Sequence, residues 1–134
     1  MKKLSFIVFV FSLLLLSCSS DGNANDPEVE SLEDLEKMYD EIIELSLVNS
    51  KACTNPDDWG FTSISSSACD THPGFIPYSK KTNTVLFLAK VKKYQEAKVA
   101  FETKMNIARP CDIMVAPSGV SCVDGKPVLT YGNY

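Results

Sequence analysis

The sequence predicts an α+β fold for a single small domain, with two helices packed on a small antiparallel sheet. Two stretches repeat apolar residues at every third or fourth position, which is typical of a helix with one buried face. Near the end of the chain, two runs rich in β-branched residues flank Asp124-Gly125, a dipeptide that favours the tight turn of a β-hairpin. A chain of 134 residues has room for one such domain.

The first helix is predicted to begin at Ser31 and to end near Val48. Ser31 can accept a hydrogen bond from the first-turn amides, and Glu33 and Asp34 place negative charge where those amides point. We expect its apolar stripe to lie in the core and its acidic residues to lie in water. The stripe consists of Leu35, Met38, Tyr39, Ile42 and Leu45.

The second helix is predicted to run from Asn83 or Thr84 to about Met105. Lysines occupy much of its surface, whereas the first helix is acidic, so we expect the two helices to pack side by side. Its apolar residues at helical spacing are Phe87, Val91, Tyr94, Phe101 and Met105.

The sheet is predicted to have three strands. Residues 120–123 and 126–131 form the hairpin, and Trp59 to Ser65 alternates in a way that is typical of a short strand. Because an isolated hairpin is only marginally stable, we expect this N-terminal strand to pair with it. Pro127 has no N–H, so its position must face solvent or a sheet edge.

The stretch from Ser65 to Lys81 is predicted to be a loop, because its two prolines exclude a helix. It holds Phe75, Ile76 and Tyr78 on a stiff backbone, which makes these residues the candidate binding loop. The alternative is that the same side chains fold under the loop and cover the end of the second helix.

The chain begins with a predicted signal peptide, residues 1–17. Lys2 and Lys3 precede an apolar run that is shorter than the roughly 20 residues needed to span a membrane. The end of this run, Leu15-Leu16-Ser17-Cys18, resembles the lipobox of bacterial lipoproteins. The resemblance implies that Cys18 becomes the lipidated first residue of the mature chain, carrying fatty acyl groups such as palmitate.

Residues 18–30 are predicted to be the lipidated cysteine and a flexible tether, ahead of a folded domain at 31–134. Ser19 stands where an aspartate favours inner-membrane retention in enterobacterial lipoproteins, so the expected location is the outer membrane. Asp21 is the single acid in a stretch that resembles the acidic tract of surface-displayed lipoproteins of Bacteroidota. Display at the surface and a periplasmic orientation are both open.

Four further cysteines predict two disulfides, since an even number in an exported domain is most simply fully paired. Their spacing leaves all three pairings open. A zinc site, or any other metal or cofactor, is not expected, because the thiols are widely spread and His72 is the single histidine. The four residues are Cys53, Cys69, Cys111 and Cys122.

Several short motifs lie between Cys53 and Tyr131. They are Ala68-Cys69, Gly74-Phe75-Ile76-Pro77-Tyr78-Ser79, Phe87-Leu88-Ala89-Lys90-Val91, Cys111-Asp112 and Val120-Ser121-Cys122-Val123-Asp124-Gly125-Lys126-Pro127. Together they resemble small cysteine-containing lipoproteins of Bacteroidota. The resemblance implies a self-contained, disulfide-bearing domain in the cell envelope, and it implies no activity and no catalytic residue.

The composition favours binding over catalysis. A net charge of −4 argues against nucleic acid as a partner, because phosphates bind basic surfaces. A single histidine leaves few candidates for a catalytic base, and the sequence has no Gly-x-Ser-x-Gly or phosphate-loop motif. The sequence therefore predicts a membrane-anchored, non-enzymatic lipoprotein that binds an envelope or extracellular protein or a glycan. The alternatives are a protease-inhibitor-like domain and an envelope enzyme.

Overall fold

The computed structural model describes residues 29, 31–65, 74–107 and 115–132. Within them, the chain is α+β, as predicted, and its four strands form two separate antiparallel sheets of two strands each. A turn of 3-10 helix, Pro56–Asp58, precedes the first strand. The other elements are α1 (Leu32–Ser46), β1 (Trp59–Ser63), β2 (Phe75–Ser79), α2 (Thr84–Lys104), β3 (Gly119–Val123) and β4 (Lys126–Thr130).

Helix α1 begins where the sequence predicts, because Ser31 and Asp34 cap each other. The backbone N–H of Asp34 donates to Ser31 Oγ at 3.2 Å, and the Asp34 carboxylate accepts from the Ser31 N–H at 3.1 Å. The helix ends at Ser46, slightly earlier than predicted. Leu47 takes a left-handed φ of 61° and closes the last turn through a hydrogen bond to Glu44 O.

The two helices pack side by side, which confirms the expectation drawn from their charges. Lys90 Nζ of α2 lies 2.7 Å from Glu41 Oε1 of α1. The hydroxyl of Thr82, just before α2, donates to Leu45 O at 2.7 Å, which ties the start of α2 to the end of α1.

Two clusters of buried side chains form the core of the described residues. Val29 belongs to one of them, although the sequence places it in the tether, so apolar packing begins ahead of Ser31. It shares this cluster with Leu35, which lies in the first turn of α1. The first cluster is Val29, Leu35, Ala97 and Phe101, and the second is Ile42, Ile76, Phe87 and Val91.

The prediction of a single three-stranded sheet is wrong. Strand β1 pairs with β2, in a register from Trp59↔Ser79 to Ser63↔Phe75, and not with the hairpin. The stretch predicted to be a binding loop therefore contains a strand. The two prolines indicate only that the stretch is not a helix. Its pairing with β1 depends on residues that are distant in sequence.

Pro77 fits within β2 because hydrogen-bonded and non-hydrogen-bonded residue pairs alternate along the two-stranded ribbon that β1 and β2 form. The Lys80 N–H donates to Asp58 O and the Ile64 N–H donates to Gly74 O, which fixes the hydrogen-bonded pairs of the antiparallel ladder. Pro77 falls between them, at a position whose backbone points away from β1. Its missing N–H therefore lies on the outer edge of β2, where no ladder bond is lost.

The hairpin β3–β4 is confirmed. Asp124 and Gly125 have φ values of 49° and 76°, and two positive φ angles are what its type I′ turn requires. A disulfide joins Cys122 in β3 to Cys53, so one of the two predicted disulfides is present in the described residues. The other predicted site residues, Cys18, Cys69 and Cys111, lie outside the described residues, as do the single histidine, His72, the signal peptide and residues 18–28 of the tether.

Candidate binding surface

The β1–β2 ribbon has two different faces, because side chains alternate along each strand. One face packs against the helices. It carries Ile76 and Tyr78, both of which contact the core around Phe87, and the Tyr78 and Phe87 ring centroids are 4.8 Å apart. The opposite face, which we call the outer face, carries the cross-strand pairs Trp59/Ser79, Phe61/Pro77 and Ser63/Phe75.

The three residues of the predicted binding loop do not share a surface. Ile76 is 4% exposed and lies in the core, whereas Tyr78 is half-buried and packs against that core on Phe87, so both face inward, as in the alternative interpretation. Phe75 lies on the outer face and is half-buried. Of the three predicted residues, Phe75 is the one on the outer face, outside both buried clusters.

Gly60 explains how the Tyr78 ring reaches its position. A Cβ atom on Gly60 would come within 2.9 Å of Tyr78 Cζ, so the ring lies directly against the backbone of β1. Aromatic rings commonly cover glycines across a pair of strands in this way. The contact holds Tyr78 on the helix-facing side of the ribbon and leaves the outer face to other residues.

The outer face divides into two parts. At one end, Trp59 and Ser79 are buried, and the hairpin lies beside this end, with β3 next to β1 and β4 next to β2. At the other end, Phe61, Phe75 and Pro77 are only half-buried. We call these three residues the aromatic patch.

The aromatic patch is preorganised. The rings of Phe61 and Phe75 pack edge to face with their centroids 6.2 Å apart, a favourable geometry for an aromatic pair. Gln95 of α2 fixes the end of β1 next to the patch, since its side-chain amide donates to Ser63 O and Ser65 O at 3.0 Å each. Sequence reasoning missed Gln95, because a polar residue in a helix gives no signal that it reaches a strand.

The described ranges hold no group of three or more His, Cys, Asp or Glu side chains that could bind a metal ion. No helix among those residues is long and apolar enough to cross a membrane. No protein-family model, no curated protein and no solved structure matches this chain. The features that bear on function are therefore the sequence at the N-terminus and the geometry of the aromatic patch.

Proposed function

We propose that this chain is a lipid-anchored protein of the bacterial outer membrane and that its domain is a binding module without catalytic activity. The observation that carries the proposal is Leu15-Leu16-Ser17-Cys18, which resembles a lipobox and follows a short basic and apolar signal. The disulfide between Cys53 and Cys122 supports export, because such bonds persist in oxidising compartments.

The remaining two cysteines of the domain, Cys69 and Cys111, form the second disulfide in this proposal. Cys53 and Cys122 are already joined to each other, so Cys69 and Cys111 are the pair that is left in an oxidising compartment. With Cys18 bound to lipid, the denatured mature protein then contains no free thiol.

The partner in this proposal is an envelope or extracellular protein that contacts the aromatic patch. Aromatic side chains are enriched at the centres of protein interfaces, where a few buried rings supply most of the affinity. Because Phe61 and Phe75 already hold each other in place, little side-chain freedom is lost when a partner covers them. A glycan that stacks on the same rings is the second candidate.

Lipidation is tested by replacing Cys18 with serine in cells fed an alkyne-bearing palmitate analogue. We expect the wild-type chain to carry the label and to sediment with outer membranes, and Cys18→Ser to lose both properties. Ser19→Ala, one position further on, is the matched control and should remain labelled and membrane-bound. Label on Cys18→Ser, or unlabelled wild-type protein in the soluble fraction, would contradict the anchor.

Binding is tested with Phe75→Ser in full-length protein, by photo-crosslinking in intact cells and by binding to purified envelope glycans. We expect Phe75→Ser to lose the cross-linked protein partner while it lowers the melting temperature less than Tyr78→Ser does, because Phe75 lies outside both buried clusters whereas Tyr78 packs against one of them. Tyr78→Ser is the contrasting variant, and it should lower the melting temperature strongly. Loss of glycan binding alone would favour the glycan, and an unchanged partner set would rule out the patch.

A further inference from the structure

We propose that the hairpin β3–β4 is a lid over the buried end of the ribbon's outer face, which the Cys53–Cys122 disulfide holds shut and which reduction of that disulfide opens. This inference goes beyond binding at the aromatic patch. It depends neither on the lipid anchor nor on the identity of a partner.

Cys53, ahead of the 3-10 turn, makes both a covalent bond and hydrogen-bonded contacts with the hairpin. The Cys53 N–H donates to Gly125 O, in the turn of the hairpin, at 2.8 Å. Cys53 Sγ is bonded to Cys122 Sγ and lies 4.0 Å from Ser121 O. Cys53 thus supplies both a backbone hydrogen bond and the covalent link to the hairpin.

The hairpin has one buried side chain in its two strands, Pro127, and supplies no member of the two buried clusters. Neither buried cluster among the described residues includes a side chain from 115–132. Val123 and Val128 of the hairpin are exposed at 50% and 42%. Because a two-stranded hairpin is marginal in water, its closed position depends strongly on the bond to Cys53.

The residue that the lid covers is Trp59. Trp59 is 3% exposed, although it belongs to neither core cluster and its position in the register puts it on the face opposite to Ile76 and Tyr78. Strand β3 is a neighbour of both β1 and the 3-10 turn, and β4 is a neighbour of β2. The hairpin therefore lies beside this end of the ribbon, and in the proposed open state the Trp59 ring is exposed beside Phe61.

The opening reaction uses a dithiol of the thioredoxin type as reductant. Cys53 is 3% exposed and Cys122 is half-buried, so a thiolate of the reductant attacks Cys122 Sγ. The S–S bond breaks, and Cys53 leaves as a thiolate and takes up a proton. The second thiol of the reductant then attacks the mixed disulfide and releases Cys122, so that two electrons and two protons pass to the cystine while the dithiol becomes a disulfide.

Trp59 is the only tryptophan of the chain, which gives a direct signal for the lid. We expect the full-length Cys53→Ala/Cys122→Ala variant, and the wild type in dithiothreitol, to show Trp59 fluorescence shifted toward that of tryptophan in water. Amide hydrogen exchange of residues 119–130 should accelerate about tenfold or more. The far-UV circular dichroism of the helices and the exchange of α1 and α2 should stay unchanged.

The matched control is Cys69→Ala/Cys111→Ala, which keeps the Cys53–Cys122 disulfide. Its Trp59 should stay buried until dithiothreitol is added and should become buried again on reoxidation. Unchanged Trp59 fluorescence without the Cys53–Cys122 bond would overturn the proposal, because packing would then hold the hairpin. Simultaneous loss of Trp59 burial and helical signal would also overturn it, since the bond would then stabilise the whole domain. Neither result bears on lipidation or on partner binding, which are measured separately.

Discussion

Replacing Phe87 with alanine is expected to lower the free energy of unfolding by about 3–5 kcal/mol. Phe87 has no exposed surface and belongs to the cluster of Ile42, Ile76 and Val91. Three elements, α1, α2 and β2, contribute to this cluster, so the space left by the ring cannot close without moving all of them. Chemical denaturation followed by far-UV circular dichroism measures the loss.

The matched control for Phe87→Ala is Val85→Ala, two residues earlier in the same helix. Val85 is 82% exposed, so the change should stay within about 0.5 kcal/mol. Equal effects of the two substitutions would contradict the tight packing of Phe87 within its cluster.

Replacing Gly74 with alanine is expected to cost up to about 3 kcal/mol, for the opposite reason, because it adds an atom where no space exists. A Cβ atom there would overlap the Ser65 side chain and approach Ser65 N to 2.8 Å. The residue cannot simply move away, since Gly74 O accepts the hydrogen bond of the Ile64 N–H that closes this end of the ribbon. Thermal denaturation of the full-length variant measures the effect.

A double-mutant cycle separates this clash from other effects of the added methyl group. In a Ser65→Gly background, where the obstructing Cβ and Oγ atoms are gone and the backbone nitrogen remains, Gly74→Ala should cost clearly less than in the wild type. Gly132→Ala is the control, because nothing lies within 4 Å of the corresponding Cβ position. Equal costs in both backgrounds would disprove the clash with the Ser65 side chain.

The elements that could be predicted are those whose signals are local. Ser31 marks the start of α1 because its partner, Asp34, is three residues away. Asp124 and Gly125 mark the hairpin because the two residues of the turn alone decide its geometry. In both cases the residues that determine the local structure are close together in the sequence.

Strand β2 could not be predicted because its evidence is long-range. Taken alone, Pro77 indicates a loop. Its pairing with Phe61 shows that the position lacking an N–H faces the open edge of the sheet, where a proline is tolerated. The sequence left Ile76 and Tyr78 either at a binding surface or folded under the loop for the same reason, since alternation separates the two faces only once the stretch is a strand. The pairing of Cys53 with Cys122 likewise depends on where the hairpin lies, which spacing cannot show.

Helix α2 shows how far a periodic pattern can be trusted. Phe87, Val91 and Phe101 are buried, as their spacing predicts. Met105 follows the same spacing and was expected in the core, but it lies just past the last turn and is 51% exposed. The repeat describes a face of the helix and ends where the helix ends.

Pro77 has a further consequence under the proposal that this chain is lipid-anchored. Strand edges with free donors and acceptors invite identical chains to add on and grow into fibres. Copies that share one bilayer collide in two dimensions, which makes such encounters frequent. A proline on the outward edge of β2 removes one donor that a stacking copy would need, so Pro77 disfavours the addition of a second ribbon at this edge.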